Sequence, residues 1–257
     1  MNNKNYVYID FEAITNPFAR IVNLASNTPY AYTVGALNKN NTFETKTFIV
    51  DFTKGNSVGN IWAIIKQNII RHLYEINSKL KIEEVVFIGH NPNLEKQILH
   101  KLFPNNDVQP LLDASCPALS LSKLTGPIFE DDYFPNIKRA INDSNIEPLK
   151  KRVLGRNGAI ASFLGHWLFI NSIKNLRVND RRKRFFLKLN KNVVIKELRK
   201  YSGDDVRKML FLTSDKEETD SLIKKYSYKK ELLKQINNLN LDDNLTIKDI
   251  KQKIWNI

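Results

Sequence analysis

The first 50 residues alternate between apolar and polar positions, which is the period-two pattern of β-strands. Residues 5–10, 30–37 and 43–50 combine this alternation with aromatic and β-branched side chains, so each is predicted to form a strand. The sequence Asn-Lys-Asn-Asn separates the second and third of these strands and favours a turn. These two strands are therefore expected to pair as a hairpin.

Helical spacing replaces this alternation from about residue 58 onward. Apolar residues recur three and four positions apart over residues 58–80 and 93–103, and this pattern predicts two helices. Between them, residues 84–89 form the short apolar run of a buried parallel strand, and residues 108–113 favour a fifth strand. A meander of three strands followed by alternating helices and strands indicates an α/β fold, with a mixed five-stranded sheet flanked by helices.

The second half of the chain is less regular. Prolines and glycines interrupt residues 114–190, and we expect short helices and loops there that cover one face of the sheet. Residues 193–213 predict a long helix, in which Gly203 costs about 1 kcal/mol relative to alanine. The Lys-rich residues that follow favour one or two further helices. We therefore expect one domain, residues 1–213, with a helical C-terminal extension, residues 214–257.

The chain is strongly basic, with 40 Lys and Arg against 27 Asp and Glu and a formal net charge of +13. A surplus of this size favours a polyanionic partner, and nucleic acid is the commonest one. Compositional drift is the alternative explanation, because the chain is also rich in Asn, Lys and Ile.

The single cysteine, Cys116, excludes an internal disulfide and a multi-cysteine zinc site, and it fits a reducing compartment. We expect its side chain to be buried as a small hydrophobe. The N-terminus lacks the pattern of a signal peptide, and no apolar run approaches the ~20 residues that span a bilayer. These features predict a soluble, cytoplasmic protein without a membrane partner.

Two carboxylates lie one residue apart at the end of the first predicted strand. Side chains alternate along a strand, so Asp10 and Glu12 are expected to share a face. Two like charges this close repel each other unless a cation lies between them, and oxygen ligands suit Mg²⁺ or Mn²⁺. A solvated acidic pair beyond the strand end would give the same pattern.

A third carboxylate, Glu95, follows the predicted strand 84–89 in the first turn of the next helix. The loop between such a strand and helix is where open α/β sheets place their sites. The helix dipole also favours acidic residues in a first turn, and His90 and Asn91 could simply close the loop. Both interpretations stay open from this segment alone.

The late helix carries Tyr201 and Asp205, which are four residues apart and therefore lie on one helical face. A phenol beside a metal-bound carboxylate could position an attacking water. Asp204 faces a different side, so Asp205 is the preferred candidate. The alternative is a helix interrupted at Gly203, with both aspartates in solvent.

The order and context of these signals resemble the DEDD superfamily of 3′–5′ exonucleases, also called the DnaQ-like family. Its motifs are Asp-x-Glu on the first strand, an acidic residue shortly after an Asn that follows the fourth strand, and Tyr-x-x-x-Asp on a late helix. The matching residues are Asp10 and Glu12, Asn91 and Glu95, and Tyr201 and Asp205. Another branch of the family carries His at the position of Lys200, so the chain resembles the Tyr branch.

Glu95 stands where the family usually has Asp. In this respect the chain resembles a little-characterised bacterial branch, which begins with Asp-Phe-Glu and has Glu in the second motif. That branch also carries a short Gly-rich segment before the last helix, and residues 155–159 match it here.

The resemblance implies a ribonuclease-H-like fold and hydrolysis of phosphodiester bonds at the 3′ end of single-stranded DNA or RNA. It also implies two Mg²⁺ or Mn²⁺ ions, about 3.5–4 Å apart. Asp10 would bridge both ions, Glu12 and Asp205 would complete the shell of one, and Glu95 would hold the other. Tyr201 would orient the attacking water, and the products would be nucleoside 5′-monophosphates.

Basic residues are expected around such an acidic centre to hold the nucleic acid strand. Phe185 and Phe186 follow the densest basic cluster, and an exposed aromatic ring can stack on a base. A solvated basic loop with both rings in the core is the alternative. Inside the motifs, Phe11 and Asn91 are further candidates for substrate contact. The basic cluster consists of Arg181, Arg182, Lys183 and Arg184.

Two other functions stay open. The chain could be a catalytically inactive nucleic-acid-binding module that keeps the fold. It could also be a structural subunit that docks a nuclease or polymerase, with residues 215–257 as the surface for the protein partner.

Overall fold

The structure is a computed structural model that describes residues 5–54, 58–112, 120–126, 128–129, 132–177, 179–238 and 246–255. Cys116, for which burial is expected, lies outside these residues. Among the described residues, no helix is both long enough and apolar enough to cross a membrane.

Five strands form one mixed sheet with the order β3-β2-β1-β4-β5. β1 pairs antiparallel with β2, and β2 pairs antiparallel with β3, as the predicted meander and hairpin require. β4 lies parallel to β1 and to β5. The α/β layout with a mixed five-stranded sheet is therefore confirmed. The strands are β1 (Asn5–Ile14), β2 (Thr28–Leu37), β3 (Phe43–Ile49), β4 (Val85–Gly89) and β5 (Asp107–Pro110).

The described residues also form ten helices and two short 3₁₀ turns, Ile82–Glu84 and Arg181–Lys183. The helices predicted over residues 58–80, 93–103 and 193–213 correspond to α2, α3 and α8. The helices are α1 (Phe18–Ile21), α2 (Val58–Ile76), α3 (Asn93–Leu102), α4 (Leu121–Thr125), α5 (Pro135–Asn142), α6 (Glu147–Val153), α7 (Asn157–Ser172), α8 (Lys191–Ser214), α9 (Lys216–Asn238) and α10 (Ile247–Trp255).

The helices cover both faces of the sheet. The hydroxyl of Tyr32 on β2 lies 3.1 Å from Nδ1 of His72 on α2. The next residue, Thr33, hydrogen-bonds Ser202 on α8 at 2.8 Å. Adjacent strand residues point to opposite faces, so α2 and α8 lie on opposite sides of β2. α7 and α8 both pack against β1, which places them next to the predicted Asp-x-Glu motif.

Helix α7 is longer and more deeply buried than the sequence predicts for this region. It has 16 residues, and every residue from Ile160 to Ile170 is buried. Its apolar residues therefore lie on all sides of the helix and give no amphipathic period. For this reason the sequence pattern indicated only short helices and loops. At Gly165, a Cβ would lie 2.5 Å from the Tyr30 ring, so a side chain there would force the helix away from the sheet.

The C-terminal extension is helical, as predicted. α9 packs on the domain through Leu222, Ile223 and Tyr226, which contact the small apolar cluster of Leu124 and Leu212. Among its residues only Thr219 is buried, and the side chains of its second half are mostly exposed. α8 continues through Gly203 without a break.

Candidate active site

Asp10 and Glu12 project from β1 toward α8. Tyr8, on the same face of the strand, donates a hydrogen bond to Oγ1 of Thr213 on α8 at 2.9 Å. The alternate residues Ile9 and Phe11 are buried in the core. Asp10 and Glu12 therefore share the opposite face of the strand, as its alternation predicts.

Glu95 reaches this place from the first turn of α3. Gly89, at the end of β4, leaves the space for it, because a Cβ there would lie 3.2 Å from Cγ of Glu95. The Glu95 carboxylate accepts hydrogen bonds from its own backbone N–H and from the backbone N–H of Phe11. Phe11 lies between Asp10 and Glu12, so this bond fixes Glu95 beside the pair on β1.

Asp205 completes the group from the middle of α8. Burial raises the pKa of Asp205, and the charge of Lys208 and a hydrogen bond from the Tyr201 hydroxyl, one helical turn earlier, partly oppose this rise. The Tyr201 ring packs between Tyr133 and Phe134, with ring centroids 5.2 and 5.0 Å away. These contacts hold the phenol toward the carboxylates.

The Gly-rich segment of residues 155–159 also reaches Tyr201. A Cβ on Gly158 would lie 3.9 Å from the Tyr201 hydroxyl, so the first turn of α7 borders the site. The segment that the resemblance singled out is therefore close to the last motif in space.

The four carboxylates interact electrostatically within one desolvated site. Burial, followed by the charges of Glu12, Asp205 and Glu95, raises the pKa of Asp10 well above its usual value. Burial and the charges of Asp205 and Glu95 likewise raise the pKa of Glu12. Three segments that are distant in the chain are thus brought together, and their negative charges repel each other.

Burial raises the pKa of Glu95 to about 7, although its two backbone hydrogen bonds lower it. Desolvation therefore outweighs these bonds. Burial also raises the pKa of Tyr201 well above its usual value, and the neighbouring carboxylates add to this effect. The Tyr201 phenol consequently remains protonated at neutral pH.

The donor set fits a divalent cation by its chemistry. All four groups are carboxylates, and the repulsion among them would be relieved by a cation between them. Among the described residues, however, no group of three or more His, Cys, Asp or Glu side chains is arranged to chelate a metal ion. Binding would therefore require the carboxylates to turn toward the ion.

Lys208 is a member of the site that sequence reasoning missed. Its side chain is fully buried, and its Nζ lies 3.2 Å from Oδ1 of Asp205. The two residues are three apart on α8, a spacing that places them on one face and is the one signal that could have indicated the pair. The adjacent Asp204 pairs with Arg207 at 2.9 Å and accepts a hydrogen bond from Tyr133 at 3.3 Å.

One predicted substrate contact is wrong. The side chain of Phe11 is only 3% exposed and packs near Tyr32 in the core, because it lies on the opposite face of β1 from Asp10 and Glu12. Its contribution to the site is the backbone N–H that Glu95 accepts. Asn91 is exposed beside α3, so its candidacy for substrate contact stays a prediction.

The aromatic residues after the basic cluster belong to the core. Phe185 is 1% exposed, and the half-buried Phe186 stacks on Trp167. The Phe185 ring is therefore not available to stack on a base, and it lies in the core as the alternative interpretation holds.

The basic cluster itself is largely engaged within its own loop. Arg182 pairs with Asp180 at 2.7 Å, and Lys183 donates to the carbonyl of Leu176 at 3.0 Å. Contact of Arg181 and Arg184 with a nucleic acid strand stays a prediction.

Comparisons with protein families, with curated proteins and with solved structures found no match to this chain. Any functional conclusion must therefore come from the geometry and chemistry of the site.

Proposed function

We propose that this chain is a divalent-metal-dependent 3′–5′ exonuclease with a ribonuclease-H-like fold, which hydrolyses phosphodiester bonds of single-stranded DNA or RNA. The observation that carries this proposal is the convergence of Asp10, Glu12, Glu95 and Asp205 in one desolvated site. A structural role would not require four mutually repelling carboxylates, whereas two-metal phosphodiester hydrolysis does.

The topology supports the same proposal. Three antiparallel strands followed by two parallel ones, in the order β3-β2-β1-β4-β5, are consistent with a ribonuclease-H-like layout. Glu95 follows the carboxyl end of β4, Asp10 and Glu12 lie in the second half of β1, and Tyr201 and Asp205 lie on α8, which packs against β1. In open α/β sheets, such strand ends are the usual location of a site.

The four carboxylates would hold Mg²⁺ or Mn²⁺, which supply Lewis-acid stabilisation of the charge that develops on phosphate oxygens. Tyr201 would orient a water molecule toward the phosphate, since its phenol stays protonated and lies against Asp205. Gly158 would leave room for the strand beside the Tyr201 hydroxyl. The net charge of +13 would favour approach of the polyanion.

One observation favours a second candidate, a catalytically inactive nucleic-acid-binding module. Among the described residues, the acidic side chains do not form a ready chelating group. In such a module strand binding would be the same with divalent ions and with a chelator, and no bond would be cut.

End-labelled strands test the proposal. Single-stranded DNA and RNA, labelled at either end, would be incubated with wild type and Asp10→Asn in Mg²⁺, Mn²⁺ or chelator. Progressive shortening of 5′-labelled strands is expected with metal only, and Asp10→Asn should be slower by at least about a hundredfold, since loss of even an outer-shell partner costs 10–100-fold.

The matched control is Asp107→Asn, which removes an exposed carboxylate on β5 and should cleave like wild type. Retained strand binding without shortening in either metal would contradict the exonuclease and support the inactive module.

A further inference from the structure

Glu197 is a buried carboxylate of α8 that the proposed mechanism does not use. It is 8% exposed. It lies one helical turn before Tyr201 and about two turns before Asp205, so the three side chains follow one face of the helix. Among the described residues, its Oε2 has no hydrogen-bond partner. A buried carboxylate with an unpaired oxygen is costly, so its presence here requires an explanation.

The other oxygen of Glu197 caps the neighbouring helix α5. This Oε1 accepts hydrogen bonds from the backbone N–H of Asn136 at 3.2 Å and from the Asn136 side chain at 2.7 Å. The first N–H groups of a helix have no partner within it, and the side chain just before the helix usually supplies one. Phe134 occupies that position in α5 and provides no such bond. Glu197 therefore supplies from α8 the cap that α5 lacks.

The capped turn has an unusual backbone conformation. Phe134 has a φ of 62°, in the left-handed region that bulky residues rarely adopt. Pro135 follows it, and a proline favours an extended conformation in the residue before it. Phe134 therefore keeps its conformation only because the surrounding structure holds the chain on both sides. The hydrogen bonds from Asn136 to Glu197 hold the side that follows Pro135.

The left-handed turn places two aromatic rings against Tyr201. The ring centroids of Tyr133 and Phe134 lie 5.2 and 5.0 Å from that of Tyr201, and both side chains are 1% exposed. Because this packing is tight, a change in the turn would displace the rings and loosen Tyr201. The Tyr201 hydroxyl hydrogen-bonds the Asp205 carboxylate. The position of this hydroxyl therefore depends on the turn, and the turn depends on Glu197.

We infer that Glu197 is a positioning residue for Tyr201. It caps α5, and the capped turn holds the rings of Tyr133 and Phe134 against the phenol that faces Asp205. This inference rests on the proposed function, because it concerns the residue that would orient the attacking water. A cap that only stabilised α5 would change the stability of the chain and leave the catalytic rate of the folded protein unchanged.

A double-mutant cycle tests the inference. The measured quantities are kcat and KM for the shortening of a 5′-labelled single strand in Mg²⁺ by the full chain. Glu197→Ala should lower kcat by about tenfold to a hundredfold with little change in KM, because a small displacement of a group at the reacting centre has effects of this size. Tyr201→Phe, which removes only the hydroxyl, should also lower kcat. Glu197→Ala should cause no further loss in the Tyr201→Phe background, because the hydroxyl that it displaces is already absent.

Three further variants control for the hydrogen bonds and for stability. Glu197→Gln keeps the Oε1 acceptor and should retain the wild-type kcat. Asn136→Asp replaces the donor with an oxygen that repels Glu197, and it should lower kcat from an exposed position where the substitution does not disturb the core. Asn190→Ala removes the cap of α8, which accepts from the backbone of Asn192 and Val193, and it should lower the stability but not kcat.

Tyrosine labelled with ¹³C at Cζ reports on the phenol without substrate. The Tyr201 resonance, assigned by its loss in Tyr201→Phe, should shift in Glu197→Ala and stay in place in Glu197→Gln. An unmoved resonance in Glu197→Ala would overturn the inference, as would a wild-type kcat in that variant or an equal loss of kcat in the Tyr201→Phe background. A shifted resonance in a chain that cleaves no strand would support the positioning of Tyr201 and contradict the proposed exonuclease.

Discussion

At the scale of single residues, spacing in the sequence indicated the acidic members of the site. Asp10 and Glu12 follow from the period of a strand, and Tyr201 and Asp205 follow from the period of a helix. Lys208 could not be identified in this way, because its burial depends on contacts of α8 with Ser122 and Tyr133. Those contacts join segments whose relative placement no local pattern reveals.

Phe11 shows the opposite error at the same scale. Its position inside the first motif made it a candidate for substrate contact. The alternation of the strand, which correctly placed the ligands, also places Phe11 on the buried face. The same alternation that brings Asp10 and Glu12 to the site therefore turns the Phe11 side chain away from it.

Glu95 predicts a specific pH dependence of stability in a chelator. Its pKa is about 7 in the folded chain and near the usual 4.5 when unfolded, so the folded state binds more protons between these values. Stability from this group is complete below about pH 4.5 and is lost as the pH rises through 7. Urea denaturation across this pH range measures the effect. As the pH rises, the free energy of unfolding of Glu95→Gln should fall less than that of wild type.

Glu83→Gln is the matched control, since Glu83 is exposed at the start of a 3₁₀ turn and should leave the profile of wild type unchanged. An identical profile for wild type and Glu95→Gln would contradict the assigned desolvation of Glu95. Added Mg²⁺ should raise the stability of wild type most at pH 7 and above, because the ion binds the ionised carboxylates of the native state.

At the scale of elements, the sequence predicted the sheet and the amphipathic helices, and it missed α7. The helices α2, α3 and α8 bury one side each, so their apolar residues repeat with a helical period. α7 is buried on all sides, and its continuous apolar composition removes that period. The burial of α7 depends on its packing against the sheet and the loops that follow, which no local sequence pattern predicts.

Close packing of α7 on the sheet predicts the effect of a single methyl group. Gly165→Ala would place Cβ 2.5 Å from the Tyr30 ring and 2.9 Å from Ile14, so the helix must shift. The free energy of unfolding should fall by about 1–3 kcal/mol, as measured by urea denaturation.

Gly59→Ala provides the comparison. Gly59 lies in α2, and apart from its chain neighbours and its own helix backbone no atom of the described residues lies within 4 Å of its Cβ position. This variant should therefore be unchanged or more stable by up to about 1 kcal/mol. Equal stability of the two variants would contradict the tight packing of α7 against Tyr30.

At the scale of the whole molecule, a strongly basic chain surrounds an acidic site. Residues 1–213 carry almost all of the net charge of +13, because the nine Lys of residues 214–257 are nearly balanced by eight Asp and Glu, while four carboxylates meet at one site. Composition alone predicted the basic character, but it could not distinguish a polyanionic partner from compositional drift. Under the proposed function, the positive charge would guide a nucleic acid strand toward the acidic centre.

The most direct measurement of the central claim is the chemical product released from a single-stranded oligonucleotide. Wild type would be incubated with the strand in Mg²⁺, then with excess chelator, and finally with Mn²⁺ in excess of the chelator, and the products would be separated by chromatography. The proposed exonuclease should release nucleoside 5′-monophosphates in Mg²⁺, none in chelator, and release them again with Mn²⁺. A strand that stays bound but intact under all three conditions would contradict it.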